Sequence, residues 1–80
     1  NTCNQPLQSR VASVLCRINS FHPEKPIELS HAELAAFVGA SREAVSSALK
    51  VIENKGAISL KYKRIEIEQM QTLKSIAKVK

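Results

Sequence analysis

The chain has little of what several large classes of protein require. It contains no tryptophan, one tyrosine, two phenylalanines and two glycines among 80 residues. A protein that stacks single-stranded bases usually presents more aromatic side chains than Phe21, Phe37 and Tyr62. The sequence has no glycine-rich loop for a phosphate group, and no Ser/His/Asp set or close pair of carboxylates that suggests catalysis. We therefore expect a protein that is not an enzyme.

Cysteine and histidine are also scarce. Cys3 and Cys16 are not part of a CxxC motif, and neither His22 nor His31 has a partner at the spacing of metal ligands. We expect no metal site and no cofactor in this domain, and two reduced thiols, with a disulfide as the alternative. No apolar run approaches ~18 residues and no signal peptide is evident, which predicts a cytoplasmic protein without a membrane span.

The composition that remains is typical of one small, basic, folded domain. Apolar residues make up 44% of the chain, which is enough for the thin core that a domain of this size builds. The net charge is +5, and the segment 40–64 holds six basic side chains against two acidic ones, a local charge of +4. This balance favours a polyanionic partner, and its position along the chain indicates nucleic acid.

Hydrophobic periodicity predicts a helix near each end of the domain. From about Pro6 to Ser20, apolar residues recur at the spacing of an amphipathic helix. Two prolines make residues 21–26 a loop, and the alternation at 27–29 predicts a short strand. A short final helix is predicted from the spacing of Met70, Leu73, Ile76 and Ala77.

A helix-turn-helix pattern occupies the centre of the chain. Ser30 and Glu33 form the capping-box motif S-x-x-E, which predicts a helix that begins at residue 31. Its apolar face is predicted on Leu34, Ala35, Phe37 and Val38. Gly39 stands where the turn needs a residue that tolerates positive φ, and Ser41 is the predicted N-cap of a second helix. That second helix is predicted to end near residue 55, before Gly56.

The second of these helices has two chemically different sides. The side predicted to pack inward carries Val45, Ala48, Leu49 and Ile52. The exposed stripe on the other side carries Arg42, Glu43, Ser46, Ser47 and Lys50. In the DNA major groove, an arginine in the first turn donates two hydrogen bonds to guanine, and a glutamate accepts one from cytosine. We therefore predict DNA base contacts by Arg42, Glu43, Ser46 and Ser47.

After Gly56 the hydrophobic period changes from 3.6 to 2. Ile58 and Leu60, then Ile65 and Ile67, alternate with polar residues and predict a β-hairpin over 57–68, with its basic tip at 61–64. The tip has no Asn-Gly or Asp-Gly signature, so the sequence leaves its register open. The order of elements predicts a mainly α domain with a small β-hairpin, a winged helix-turn-helix over 6–80 preceded by a polar segment at 1–5.

Phosphate contacts are predicted at two kinds of place. Helix N-termini favour phosphate through free N–H groups, although capping alone is the alternative role for their serines. Basic side chains on the second helix of the helix-turn-helix pattern and at the hairpin tip attract the DNA backbone in a salt-dependent way. The predicted phosphate contacts are Ser30, Ser41, Lys50, Lys61, Lys63 and Arg64.

The segment from Ile27 to Ala77 resembles the C-terminal DNA-binding domain of the Crp/Fnr family of bacterial transcription regulators. The most specific part of the resemblance is G-A-S-R-E-A-V-S at residues 39–46, and it extends to the hairpin ending R-I-E-I. It implies that Arg42 reads guanine and that Glu43 reads the cytosine of the opposite strand. Ser47 departs from the arginine that the family often has at this position.

The resemblance also implies parts that this chain lacks. Such regulators carry an N-terminal sensor for an effector and a long dimerisation helix. Because the chain begins at Asn1 rather than methionine, we expect a fragment of a longer protein or a trimmed chain. The longer protein is expected to form a homodimer through the missing N-terminal region, and this fragment to be monomeric or weakly dimeric alone. Double-stranded DNA is the expected partner, with RNA polymerase as a candidate second partner. The effector of the missing sensor stays unknown.

Two alternatives remain open from the sequence. One is a winged-helix regulator of another class, with the same mode of DNA binding and a different sensor. The other is a winged-helix module for protein–protein interaction that does not bind DNA sequence-specifically. Such a module is expected to have apolar residues on the exposed stripe of the second helix, and the stripe here is polar.

Overall fold

The computed structural model describes residues 6–78 as four helices and one two-stranded hairpin. The predicted polar segment 1–5, with Cys3, lies outside the described residues. The mainly α winged helix-turn-helix architecture is confirmed. In chain order the elements are α1 (Leu7–Phe21), α2 (His31–Val38), α3 (Arg42–Asn54), β1 (Ile58–Lys61), β2 (Arg64–Ile67) and α4 (Met70–Ala77).

Helix α1 is the element against which the other helices pack. Pro6 precedes its first turn, where the missing N–H of proline has no hydrogen bond to lose. Val11, Ala12 and Leu15 have no exposed surface, and α1 contacts α4, α3 and α2. The predicted amphipathic helix is therefore present, and its apolar side forms the centre of the core.

Helix α2 has both of the predicted ends. The Ser30 hydroxyl accepts a hydrogen bond from Glu33 N, while Glu33 Oε1 accepts one from Ser30 N, which completes the capping box. Gly39 ends the helix with φ +72°, in the left-handed region that glycine adopts without a steric penalty.

One residue of the predicted apolar face of α2 lies on the wrong side. Phe37 is 65% exposed, whereas Leu34, Ala35 and Val38 are buried. At 100° per residue these three span one arc of the helix, and Phe37 lies about 110° from the centre of that arc. The prediction that Phe37 packs with the core is wrong for this geometric reason.

The hairpin has a defined register that the sequence left open. Strands β1 and β2 are antiparallel, with Ile58 opposite Ile67 and Lys61 opposite Arg64. A two-residue turn joins them, and its second residue, Lys63, has φ +55°. A lysine in this left-handed conformation is strained, because its Cβ crowds the backbone. The strands stay paired up to Lys61 and Arg64 only because Lys63 adopts this left-handed conformation in the turn.

The predicted strand at 27–29 is reduced to a single β-bridge. Ile27 exchanges two hydrogen bonds with Ile65, at 2.9 Å and 2.7 Å between N and O atoms. Beyond this residue the chain turns away, since Ser30 takes the geometry of an N-cap for α2. Ile27 and Ile65 are both buried, so the bridge attaches the hairpin to the start of the helix-turn-helix unit.

Candidate nucleic-acid interface

Helix α3 presents a polar face whose orientation is set by its buried side. Its inward side chains are those predicted, and all are at most 4% exposed: Val45, Ala48, Leu49 and Ile52. On the opposite side Arg42, Glu43, Ser47 and Lys50 are exposed, and Ser46 is half-buried. The predicted division of this helix into two faces is confirmed, with Ser46 at the boundary.

The turn before α3 is held by three kinds of hydrogen bond. Gly39 N donates to Ala35 O over 2.8 Å, which closes the last turn of α2. The Ser41 hydroxyl accepts from Ala44 N at 3.1 Å and caps α3. The Arg10 guanidinium of α1 donates to the carbonyl oxygen of Val38. Sequence reasoning missed Arg10, because nothing in a local pattern links residues 28 positions apart.

A groove lies between the start of α2, the start of α3 and the hairpin. Its volume is about 320 Å³. Arg42 and Ser46 line it from α3, and Ser30 lines it from the cap of α2. Lys61, Lys63 and Arg64 line it from the hairpin. The fold thus brings together six of the ten predicted site residues, although they come from three separate segments.

The other four predicted site residues are not in the lining of this groove. Glu43, Ser47 and Lys50 are exposed elsewhere along α3, and Ser41 is exposed at its N-cap. Ser47 instead borders a separate depression near the start of α1, together with Ala44. The exposed face of α3 is consequently wider than the groove beside it.

The charge of the groove is positive. Four of the residues that line it are basic, and none is acidic: Arg42, Lys61, Lys63 and Arg64. Two of them have local partners, since Arg64 Nε lies 3.4 Å from Glu66 Oε2 and Lys63 Nζ lies 5.4 Å from the centre of the Tyr62 ring. Because both contacts are on the surface, they restrain the side chains weakly and leave them able to bind an anion.

The two capping serines are already engaged in hydrogen bonds. Ser30 and Ser41 each accept a backbone N–H through the hydroxyl oxygen, as a helix cap does. Each hydroxyl still has a proton to donate to a phosphate oxygen. At α2 the Glu33 carboxylate occupies the N–H of Ser30, and its negative charge opposes a phosphate there. Within the described residues, no such carboxylate contact is present at the Ser41 cap.

Ser46 has a partner that the sequence did not indicate. Its Oγ lies 2.7 Å from Nδ1 of His31, the first residue of α2, and both residues line the groove. The spacing of 15 residues matches neither helical nor strand periodicity. This contact between the two helices depends on the turn at Gly39, which no local pattern relates to either side chain.

Glu53 joins α3 to the hairpin. Its Oε2 accepts a hydrogen bond from Leu60 N at 2.9 Å, and its Oε1 lies 3.6 Å from Lys50 Nζ. The hydrogen bond from Leu60 lowers the pKa of Glu53 below its usual value of 4.5, and the charges of Lys50 and Lys61 act in the same direction. Glu53 is therefore anionic at neutral pH and fixes β1 against the end of α3.

Comparison with known proteins agrees with this geometry. Residues 9–76 match the model of the Crp-like helix-turn-helix domain. The chain belongs to this family. The family is one of DNA-binding domains of transcription regulators and not a class of enzymes. A comparison with curated proteins found no match.

Solved structures of the family are similar over most of this chain. The catabolite activator protein of Thermus thermophilus is 31% identical with a TM-score of 0.81, over 88% of this chain and 33% of its own. A transcriptional regulator of the CRP/FNR family from the same organism is 30% identical with a TM-score of 0.79, over 92% and 41%. Our chain therefore spans between a third and two fifths of the length of these relatives.

The described residues show three further features of this Crp-like domain. Within residues 6–78, no three His, Cys, Asp or Glu side chains are placed to hold a metal ion. Cys16 is a free, half-buried thiol, and burial raises its pKa although Lys74 lies nearby. No helix in the same range is long and apolar enough to cross a membrane.

Proposed function

We propose that this Crp-like domain binds double-stranded DNA sequence-specifically, with α3 in the major groove and the hairpin tip on the sugar–phosphate backbone. The observation that carries the proposal is the groove in which the first turn of α3 meets the basic tip of the hairpin. A recognition helix reaches base edges with its N-terminal residues, while neighbouring cations bind the phosphates that flank the groove. Because the first turn of α3 and the hairpin tip adjoin each other, both can contact the same DNA duplex.

Each predicted site residue has a role in this complex. Arg42 donates to O6 and N7 of a guanine, and Glu43 accepts from a cytosine amino group. Ser46 and Ser47 lie one turn further along α3 and contact neighbouring base edges. The phosphate contacts are Ser30, Ser41, Lys50, Lys61, Lys63 and Arg64. We assign the DNA-reading unit to residues 6–80, with the helix-turn-helix at 31–55 and the wing at 57–68.

The longer protein, on this proposal, is a cytoplasmic regulator that acts as a homodimer. Two copies of α3 then enter successive major grooves, about 34 Å apart, on a two-fold site. Dimer contacts come from a region N-terminal to this chain, and RNA polymerase is a candidate partner. The family relationship supports this arrangement, because the solved relatives are two to three times longer than the region they share with our chain.

Selection from a randomised duplex library tests the proposal. The 80-residue chain is dimerised by a leucine zipper fused ahead of Asn1, and the bound duplexes are sequenced at moderate salt. We expect a two-fold motif with a G·C pair in each half. Arg17→Ala removes an exposed arginine of α1 and serves as a control for the loss of one positive charge. This variant is expected to select the same motif as the unaltered chain.

Two outcomes contradict the proposal. Retention on DNA without an enriched motif, abolished by raising the salt, indicates contacts with the backbone alone. Absence of retention at moderate salt favours a module for protein–protein interaction. In either case α3 does not read bases.

A further inference from the structure

His31 of α2 contacts Ser46, one of the proposed base-reading residues of α3. We infer that His31 is a positioning residue that sets which chemical group Ser46 recognises on a base edge, an inference that rests on the proposed DNA binding. The distance of 2.7 Å between Nδ1 and Oγ is that of a strong hydrogen bond. Both side chains line the groove, so the pair lies at the proposed DNA surface and not in the core.

The chemistry of a hydroxyl makes this pairing consequential. Ser46 has one proton to donate and two lone pairs that accept. When the imidazole of His31 is neutral and protonated on Nε2, its Nδ1 accepts the Ser46 proton. Ser46 then presents only lone pairs to the DNA. In this state it recognises an amino group, which is N4 of cytosine or N6 of adenine.

Protonation of His31 reverses the direction of the hydrogen bond. An imidazolium donates from both nitrogens, so Nδ1–H is directed at Ser46 Oγ. The serine proton is released from the histidine and turns toward the DNA. In this state Ser46 donates to O6 or N7 of guanine, to O4 of thymine or to N7 of adenine, whereas cytosine offers no acceptor in the major groove. Relative to the neutral tautomer protonated on Nε2, the imidazolium thus reverses the group that Ser46 favours.

The charges around His31 come from every element at the groove. Arg42 of α3 and three hairpin residues oppose a further positive charge on the imidazole, namely Lys61, Lys63 and Arg64. Glu33 of α2 and Glu28 before it favour that charge from the adjoining cleft.

The test measures base preference at one position as a function of pH. The duplexes are the selected site and its three variants at the base pair where Ser46→Ala changes the preference. Histidine ordinarily changes charge between pH 5 and 8, so binding is compared at about pH 8 and about pH 5.5. We expect C to be favoured over G or T about threefold to tenfold at the higher pH, as one hydrogen bond allows, because C presents only a donor in the major groove. At the lower pH the preference moves toward G or T.

The variant His31→Asn separates positioning from a structural role. Its amide oxygen occupies about the place of Nδ1 and accepts the Ser46 proton, but it does not titrate. This variant is therefore expected to keep the preference of the higher pH at both values. His31→Leu is expected to lose most of the preference at both. His22→Asn changes the exposed histidine of the loop and is expected to respond to pH as the wild type does.

Each contrary result has a distinct meaning. A wild-type preference that does not change with pH, or that changes equally in His31→Asn, overturns the inference and leaves the proposed function intact. The same holds if Ser46→Ala alters the preference at no base pair. If the wild type selects no motif at either pH, sequence-specific binding itself is contradicted, and the inference is overturned with it.

Discussion

Helix α3 and the hairpin hold their functional side chains in different ways. Four buried side chains fix the rotation of α3 about its axis and its distance from the core, and this also fixes the direction of its polar face. The two strands of the hairpin have two buried side chains, Ile58 and Ile65, and the tip between them is exposed, with Tyr62 at 87%. Reading a base edge requires a side chain placed to within a fraction of an ångström, whereas attraction to a phosphate tolerates movement. The two regions are therefore suited to different kinds of contact.

The connection between the two regions depends on a few polar contacts. Glu53 ties α3 to β1, and the bridge between Ile27 and Ile65 ties β2 to the start of the helix-turn-helix. Neither contact involves the hairpin tip, where Lys63 is strained. The fold thus places the tip beside α3 without making it as rigid as α3.

The largest effect is expected from the core beneath α3. Leu49→Ala creates a cavity at a fully buried position and should lower the free energy of unfolding by about 2–5 kcal/mol. Ser47→Ala, on the exposed side of the same helix, should change it by less than about 0.5 kcal/mol. Chemical denaturation measures both variants. Equal effects would mean that α3 is not fixed by its buried side.

Removal of the first basic residue of α3 should affect reading. Arg42→Ala should cost about 1–3 kcal/mol of discrimination and relax the preference at one base pair per half-site. Binding isotherms with matched and mismatched duplexes measure it. If Arg42→Ala weakens all duplexes uniformly, the arginine contacts phosphate, and the distinction between the two regions fails at this residue.

Removal of a charge at the hairpin tip should affect all sequences alike. Lys63→Asn keeps a residue that tolerates positive φ, unlike Lys63→Ala, so the turn is preserved. The variant should bind every duplex more weakly and reduce the slope of log K against log salt by about one unit. Lys74→Gln on α4 is the control for loss of charge. An unchanged slope in Lys63→Asn would make the wing a structural hairpin only.

The smallest expected effect is a pH dependence of the hydrogen bond between Glu53 and Leu60, which connects α3 to the hairpin. The lowered pKa of Glu53 means that its hydrogen bond to Leu60 N stabilises the fold above the usual value of 4.5. The stabilisation is lost as the pH falls through the lowered value. Amide exchange at Leu60, corrected for intrinsic rates, should show declining protection below pH 4.5 in the wild type. Protection in Glu53→Gln should not change over this range, and a parallel decline would contradict the assignment.

Local signals account for how much of the fold was predictable. The capping box at Ser30, the glycine at 39 and the N-cap at Ser41 specify helix ends through neighbouring residues, and all three are present. The expected strand at 27–29 depended on a distant partner, and only Ile27 found one. Phe37 was misplaced because an eight-residue helix rich in apolar residues has a weakly defined inner side.

The sequence indicated which residues face outward at the candidate site better than it indicated the hydrogen bonds that hold the site together. Periodicity alone separates the face of Arg42 and Lys50 from the buried face of α3. Three contacts join residues of different secondary-structure elements: Arg10 with Val38, His31 with Ser46, and Glu53 with Leu60. Their partners are defined only by the tertiary fold. One of them, between His31 and Ser46, holds a predicted base-contact residue directly.

Chemical interference on one selected duplex tests the central claim most directly. Methylation of guanine N7 probes contacts in the major groove, and ethylation of phosphates probes contacts with the backbone. The wild-type dimer should show both, with one interfering guanine per half-site lost in Arg42→Ala and flanking phosphates lost in Lys63→Asn. The account is contradicted if no guanine methylation interferes, or if the two variants lose the same signals.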